Sequence, residues 1–443
     1  MYLSQHLPIF QVLVPLFVAL LNVFSFDCKR AYFLTIVAAL SSLFISIFLF
    51  LQITTHYPIY YNIGDWQGSI GIEYKLFPDN IKLLLCVNFI FLIFTLLILP
   101  AKLEHLSRSK YGYLLYSLLL LFHAGALGII ITNDIFNLYV AIEIMALSSY
   151  SILSYSDNKK SLIAALDYLI IGSIAATLIL LAIGIIFYIT GSLNIDMIHA
   201  FLQQHDVDRN LLKFAISLIC VGIFVKIALF PFNTWMVNLY SVADVDVLSY
   251  IASVATMTNF YIFIKLTYYA IPYEIAFEEG TRNLIIIIAN ASILFCAYNA
   301  CFVKNFRNIV INSAAVSAGY MCLIYLNSGN TELILIYLVA DAISKFAVFN
   351  IIKYTELRLN QKNHTDSKIF SSAAIVFMIV VVINNAGLPL TVNFLNKANL
   401  LSALLDNGSY YSFGCIIISS FLSLIYNYRI LEPLFFDKAI TQE

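Results

Sequence analysis

The chain has 443 residues, of which 61% are hydrophobic and only 11% are charged, and its formal net charge is −1. Soluble domains carry about 25% charged residues, so this chain could not cover its own surface with polar groups and must use lipid as its solvent. The balanced charge gives no indication of nucleic-acid binding, and we predict no nucleic-acid partner. The seven cysteines are scattered, without the clustered ligands of a zinc or iron–sulfur site. We therefore predict no metal and no cofactor.

Apolar runs follow one another along the whole chain. Each crossing of a bilayer needs about 20 apolar residues, and thirteen candidate runs lie at 7–26, 31–52, 81–100, 111–132, 135–155, 162–190, 211–236, 247–270, 284–303, 309–327, 332–353, 369–405 and 410–430. The predicted fold class is an all-α integral membrane protein. We expect a bundle of about 13 transmembrane helices in one polytopic domain, residues 1–443. The two longest runs contain Gly or Pro, which predicts that they bend or break.

The charges of the loops predict an orientation. Basic residues follow runs one, three, five, nine and eleven: Lys29 and Arg30; Lys102, Arg108 and Lys110; Lys159 and Lys160; Lys304 and Arg307; Lys353, Arg358, Lys362 and Lys368. Because cytoplasmic loops carry an excess of Lys and Arg, we expect the N-terminus outside and the C-terminus in the cytoplasm of a bacterial inner membrane. The loop SVADVDV after run seven breaks this pattern, since Asp244 and Asp246 have no Lys or Arg beside them in the sequence.

Several charged residues lie inside the apolar runs, where a charge costs at least about 2.5–3.5 kcal/mol. They are Glu143, Asp167, Asp341, Lys226, Lys345 and Lys397. A spacing of four places Asp341 and Lys345 on one helix face, so this pair is either a local ion pair or part of a functional site. For Glu143, Lys226 and Lys397 the alternative to a function is a fixed salt bridge or a snorkelling end. Lys265 lies near a helix end, where we expect it to snorkel.

Acids and bases on separate helices are what a proton relay requires. A carboxylate near a buried lysine favours the charged lysine, so moving that carboxylate away favours proton release. Pro231 closely follows Lys226, and Pro389 precedes Lys397. The helix breaks expected at these prolines free backbone dipoles that can line a polar cavity at membrane depth.

Four segments carry a family resemblance: NDIFNLYVAIEIMALSSYSIL, GSLNID, FVKIALFPFNTW and AGLPLTVNFLNKANLLSALL. They resemble the proton-translocating antiporter-like subunits, which are the large membrane subunits of multisubunit Na+/H+ antiporters and of respiratory complex I. The segment around Glu143 is most similar to the D-type subunit of the antiporters. The resemblance implies that Glu143 pairs with Lys226 and that the relay continues through Lys345 and Lys397. We expect auxiliary roles for Asp167, Asp341, Pro231 and Pro389.

The resemblance also implies an architecture and partners. We expect two inverted five-helix repeats, at 111–270 and 284–430, with corresponding broken helices. The implied partners are other membrane subunits of a hetero-oligomeric complex, the lipid bilayer, protons, and Na+ or another monovalent cation.

The chain departs from the family pattern in the middle of the relay. Met257 stands where the family usually has a lysine, Asp244 and Asp246 stand where prolines are usual, Asn233 replaces a histidine, and Asp167 replaces a lysine. Three functions therefore stay open. The chain is a subunit of a cation/proton antiporter, or the related pumping subunit of an NADH:quinone oxidoreductase without a redox site of its own, or a diverged scaffold that conducts no protons. We interpret it as a transporter subunit rather than an enzyme.

Overall fold

The computed structural model describes residues 6–55, 58–65, 71–108, 111–155, 159–328, 331–360 and 372–435. Within these ranges the chain is helical apart from one antiparallel hairpin and short connections. Eleven described helices are long and apolar enough to cross a membrane. The chain is a multi-pass all-α membrane protein, as predicted. Three basic residues used to predict the orientation lie outside the described residues: Lys110, Lys362 and Lys368.

The described residues of the first half of the chain form the hairpin and nine α-helices. In chain order they are α1 Leu7–Ser25, α2 Cys28–Thr55, β1 Ile59–Asn62, β2 Glu73–Leu76, α3 Pro78–Ile93, α4 Leu99–Arg108, α5 Gly112–Ile131, α6 Ile135–Ser154, α7 Lys159–Thr190, α8 Ile195–Gln204 and α9 Arg209–Lys226. A π-helical turn at Phe94–Ile98 joins α3 to α4.

The second half is helical throughout its described residues. Its elements are α10 Thr234–Tyr240, α11 Val245–Ile264, α12 Tyr273–Ala276, α13 Glu279–Phe302, α14 Phe306–Ser328, α15 Thr331–Asn360, α16 Ser372–Ala386, α17 Val392–Asp406 and α18 Tyr410–Phe435. A π-helical segment at Lys265–Ala270 extends α11.

The chain divides into two compact units. Unit 1 contains Met1–Lys226 and Thr258–Glu278, and unit 2 contains Ile227–Met257 and Glu279–Glu443. The division falls inside α11, so this one helix contributes to both cores. The two inverted repeats expected at 111–270 and 284–430 stay a prediction.

Glycines allow close helix packing in unit 1. A Cβ added to Gly125 of α5 would lie 2.9 Å from the carbonyl oxygen of Ala141 in α6, and one added to Gly222 of α9 would lie 2.8 Å from the carbonyl oxygen of Ala175 in α7. Only glycine permits backbones to approach this closely. The contact at Gly222 holds the last turn of α9, which ends at Lys226, against the core.

Both predicted spans with a proline break are divided. The run 211–236 forms α9 and α10, and the run 369–405 contributes α16 and α17. In the first break Ala228 has a left-handed φ of 55°, and in the second Gly387 and Leu390 have φ values of 74° and 73°. Proline cannot donate a backbone hydrogen bond to continue a helix. The count of about 13 spans is not confirmed, because only eleven helices among the described residues are individually long and apolar enough to cross a membrane.

The structure corrects the expectation for one of the longest runs. The run 162–190 does not break but forms the single helix α7, Lys159–Thr190. A glycine inside a helix costs only about 1 kcal/mol, unlike a proline. Gly172 also has a packing role, since a Cβ there would lie 2.0 Å from the hydroxyl of Tyr150.

Candidate functional site

The first pair of charges predicted from the sequence lies in unit 1. Glu143 is in the middle of α6 and Lys226 is the last residue of α9. Lys226 is 9% exposed, and the negative charge of Glu143 acts on its ammonium through space. In the described part of the chain neither side chain forms a direct ion pair or hydrogen bond, and Oε1 of Glu143 is buried without a donor. The two charges are therefore electrostatically coupled without being locked together by a contact.

The backbone at the end of α9 is also partly satisfied. The last carbonyls of a helix have no partner inside the helix. Here the carbonyl oxygen of Lys226 accepts a hydrogen bond from Nδ2 of Asn259 in α11, at 3.4 Å. The polar end of α9 is thus tied to α11 within unit 1.

A second buried lysine lies in α15 of unit 2. Nζ of Lys345 lies 2.7 Å from Oδ2 of Asp341, and the two side chains are 6% and 8% exposed. The same Nζ donates to Oγ1 of Thr256 in α11, at 3.1 Å. The spacing of four residues therefore produces the local ion pair, which is one of the two alternatives that the sequence left open. The hydrogen bond to Thr256 connects that pair to α11.

The third lysine lies beside the second helix break. Nζ of Lys397 donates to the carbonyl oxygen of Ala386, the last residue of α16, at 3.2 Å. It also lies 5.1 Å from the ring centre of Tyr320, a distance at which an aromatic face attracts a cation. A Cβ added to Gly387 would lie 3.0 Å from Nζ of Lys397. The break at Gly387 and Pro389 therefore supplies both the acceptor and the space for this lysine.

Hydrogen bonds connect the surroundings of these two lysines. Nδ2 of Asn384 in α16 donates to Oγ of Ser344 at 2.7 Å, and Ser344 directly precedes Lys345. Ser423 of α18 donates to the carbonyl oxygen of Ala386 at 3.2 Å, the same oxygen that accepts from Lys397. The helix that carries Lys345 is thus joined to the break that holds Lys397.

A row of polar side chains follows one face of α11 in unit 2. Asp246, Ser249, Ser253 and Thr256 are spaced by three, four and three residues, which places them on the same side of a helix, and all four are buried. At one end Lys353 pairs with Asp246 at 2.7 Å. At the other end Thr256 accepts from Lys345. We call these four residues the α11 polar row.

The acidic loop before α11 has basic partners in space. Nε of Arg307 donates to the carbonyl oxygen of Tyr240 at 2.7 Å, and its Nη2 donates to that of Ala243. Lys353, in the second half of α15, pairs with Asp246. The loop therefore lacks basic residues nearby in the sequence but has them nearby in the folded chain.

The sequence of this chain matches a known family of membrane proteins. A family model described as NADH:quinone oxidoreductase/Mrp antiporter, TM, matches residues 132–424, about two thirds of the chain. The chain belongs to this family. Two curated relatives are subunit N of NADH-quinone oxidoreductase from Desulforudis audaxviator, 29% identical over 97% of this chain and 86% of that one, and the putative antiporter subunit mnhD2 of Staphylococcus epidermidis, 24% identical over 99% and 87%.

Solved structures share the fold of this family member. A chain of the Mrp complex from Dietzia sp. has a TM-score of 0.85 and 20% identity, covering 99% of this chain and 81% of that one. A chain of respiratory complex I from Thermus thermophilus has a TM-score of 0.74 and 18% identity, covering 95% and 88%. An archaeal membrane-bound sulfane sulfur reductase complex supplies a third match, with a TM-score of 0.84, 20% identity and coverage of 98% and 88%.

The remaining predicted residues of this family member lie in different surroundings. Met257 is fully buried in α11, in unit 2. Asn233 donates to Sγ of Cys296 at 3.4 Å. Pro231 and Pro389 each occupy one of the two helix breaks. Asp167 is exposed on the outer side of α7, which places it apart from the buried charges of unit 1.

The prediction for Lys265 is wrong. This residue is only 3% exposed and does not snorkel. Its Nζ donates to the carbonyl oxygen of Ile129 at 2.8 Å and to that of Thr132. These two oxygens lie at the C-terminal end of α5, where carbonyls lack intrahelical partners and attract a cation. Lys265 therefore caps α5, and its π-helical segment brings it there.

Sequence reasoning also missed a polar cluster at the hairpin. Nζ of Lys75 lies 2.6 Å from Oδ1 of Asp196, Asn133 donates to Glu73 at 2.8 Å, and Asn194 donates to the same Glu73 oxygen at 2.6 Å. Burial lowers the pKa of Lys75, but the hydrogen bond and charge of Asp196 raise it above its ordinary value. The sequence motifs ND and NID contain three of the five residues of this cluster, but their partners Glu73 and Lys75 on β2 could not be found from spacing.

Proposed function

We propose that this chain is the proton-conducting membrane subunit of a multisubunit monovalent cation/proton antiporter, with Na+ as the first counter-ion to test. The observation that carries the proposal is the placement of a lysine at each of two helix breaks inside an apolar bundle. Lys226 ends α9 and Lys397 lies beside the end of α16. Breaks of this kind expose backbone dipoles at membrane depth, where transporters bind their ions.

In unit 1 the proton step depends on Glu143. Its negative charge favours the protonated form of Lys226. When a cation or a proton neutralises Glu143, Lys226 loses that support and releases its proton more readily. Because no direct contact joins the two side chains in the described part of the chain, this change requires no buried ion pair to be broken.

In unit 2 the proton step depends on Lys345. Asp341 supports its charged form at 2.7 Å, and Thr256 offers a hydroxyl oxygen at 3.1 Å. The α11 polar row leads from Thr256 to Asp246 and its partner Lys353. Protons reach Lys345 along this row, so that a lysine at position 257 is not needed for this part of the path.

A second candidate function has specific support. The relative that is 29% identical over 97% of this chain is a subunit of NADH-quinone oxidoreductase. The same buried charges would then be driven by electron transfer in partner subunits rather than by a cation gradient. In either case the chain acts with other membrane subunits in the bacterial inner membrane.

One assay separates these functions. The full chain with its co-expressed partner subunits is reconstituted in vesicles that contain a pH-sensitive dye. An antiporter moves protons on addition of NaCl, KCl or LiCl but not of choline chloride, and NADH with a quinone has no effect. Proton movement that follows NADH oxidation and ignores Na+ would support the oxidoreductase subunit instead. No proton movement in either assay would support a scaffold.

Control variants define the background of that assay. Lys29→Ala removes an exposed lysine outside the predicted relay, and we expect normal transport. Lys345→Ala removes a buried lysine, and we expect proton flux to fall at least about tenfold.

A further inference from the structure

Helix α7 carries an unpaired carboxylate on its outer side. Asp167 is exposed, and in the described part of the chain it forms no ion pair and no hydrogen bond. The neighbouring positions on this side are exposed apolar side chains: Ile163, Leu166, Ile170 and Ile174. Ionisable residues within membrane spans nearly always face protein or a water-filled cavity, because a charge facing lipid is costly.

The apolar side of α7 is longer than the hydrocarbon core of a bilayer. Exposed apolar side chains begin at Leu162 and continue to Tyr188. At about 1.5 Å per residue they cover about 39 Å of helix, whereas the hydrocarbon core is about 30 Å thick. A typical tilt of about 20° shortens the projection by only a few ångströms. Lipid tails alone therefore do not cover this side of the helix, and Asp167 lies close to the end that begins at Leu162.

Small and hydroxyl-bearing residues form a stripe within the same exposed side. Ser173, Thr177 and Gly184 are exposed and spaced by four and seven residues, which places the stripe about 100° around the helix from Asp167. A Cβ added to Gly184 would meet nothing within 4 Å. An open groove of about 530 Å³ runs beside the stripe, lined by Thr177, Gly184 and apolar side chains that include Leu181. Small residues of this kind let membrane helices approach closely, and Ser and Thr hydrogen-bond across such contacts.

We propose that this side of α7 docks a transmembrane helix of a partner subunit that carries a Lys or Arg at the depth of Asp167. An exposed carboxylate among apolar side chains favours a cationic partner, the apolar length exceeds the thickness that lipid tails cover, and the small residues admit a helix backbone. Asp167 lies at the edge of the exposed side, where the long stem of a Lys or Arg reaches it from a helix seated on the stripe. Lipid tails would fill the groove but would bring no cation to Asp167. The inference rests on the proposed function in one respect only, that the chain works within a multisubunit membrane complex.

Site-specific photo-crosslinking in native membranes tests this docking. Ser173→p-benzoylphenylalanine places the probe on the proposed contact in the full chain, and the same change at Ile287, an exposed residue of α13, is the control. We expect an adduct at position 173 with one membrane protein, whose crosslinked helix contains a Lys or Arg. Asp167→Lys should lower the yield of that adduct about tenfold, and Gly184→Leu should lower it without any change of charge. Folded yield is measured for every variant.

The crosslinking results test the docking proposal independently of proton transport. Adducts with lipid only, a crosslinked helix without a basic residue, or an adduct that Asp167→Lys leaves unchanged at normal folded yield would each overturn it. Reversal of the partner's basic residue to Glu should restore the adduct in the Asp167→Lys background. An intact adduct in a complex that moves no protons would count against the proposed function and leave this docking surface standing.

Discussion

The three lysines of the predicted relay differ in what holds their charge. Lys226 has only the field of Glu143, Lys345 has a direct ion pair with Asp341, and Lys397 has a backbone oxygen and the face of Tyr320. Removing one partner of a buried ion pair leaves an uncompensated charge, whereas replacing both partners by apolar residues is often tolerated. The same type of substitution should therefore lower the free energy of unfolding by different amounts at the three positions.

Lys345→Met should destabilise the protein because it leaves Asp341 buried and unpaired. We expect the free energy of unfolding to fall by about 3–5 kcal/mol. The double variant Asp341→Leu/Lys345→Met should recover most of that stability while remaining inactive. Thermal unfolding in detergent, compared with proton flux, checks both effects. A single variant as stable as the wild type would show that the ion pair is not buried as described.

Met257→Lys tests whether the relay is interrupted. Methionine carries no proton, and residue 257 is fully buried. If the α11 polar row already supplies Lys345, the new lysine should leave proton flux unchanged in the molecules that fold. A buried lysine without a carboxylate partner would lower the folded yield, so flux is normalised to yield. Increased flux per folded molecule would instead show that the native path is broken at this position.

At the scale of elements, the second helix break combines a left-handed backbone conformation with the space that Lys397 occupies. Gly387 has φ +74°, and a Cβ there would lie 3.0 Å from Nζ of Lys397. A side chain in this left-handed conformation costs about 1–2 kcal/mol, so Gly387→Ala should lower the free energy of unfolding by that amount and displace Lys397. Gly414→Ala, where a Cβ meets nothing within 4 Å, is the matched control and should be neutral or stabilising. Equal stability of the two variants would contradict this explanation of the break.

The α11 polar row gives a second prediction for a structural element, which concerns proton flux. Ser253→Val removes a buried hydroxyl in the middle of the row and replaces it with an apolar side chain of similar reach. We expect proton flux to fall about tenfold while folded yield is retained. Ser217→Val, at an exposed hydroxyl of α9, should leave flux unchanged. Normal proton flux in the Ser253→Val variant would show that the α11 polar row is not part of the proton path.

The elements show what could be predicted from the sequence and what could not. Apolar length predicts the spans, proline predicts the two breaks, and spacing predicts that Asp341 and Lys345 share a face, because each depends on neighbours along the chain. The partner of Asp246 is Lys353 on a distant helix, and the acceptors of Lys265 lie at the end of α5. No local pattern encodes such contacts.

At the scale of the whole molecule, loop charge predicts the orientation. A reporter fused after Lys160 should be cytoplasmic, because Lys159 and Lys160 favour retention on that side. A reporter in the segment 64–73, which ends at the first residue of β2, should be external. Alkaline phosphatase and green fluorescent protein fusions give opposite signals at the two positions and check each other. The reverse pattern would overturn the predicted orientation.

On the proposed path, protons move through the chain by way of Glu143 and Lys226. The most direct test is proton flux in vesicles that contain the assembled complex, with wild type compared with Glu143→Gln and Lys226→Ala. Because neither side chain makes a direct contact in the described part of the chain, both variants should fold in normal yield. We predict that flux is abolished in each. Wild-type flux in either variant would show that these residues are structural and would contradict the proposed path.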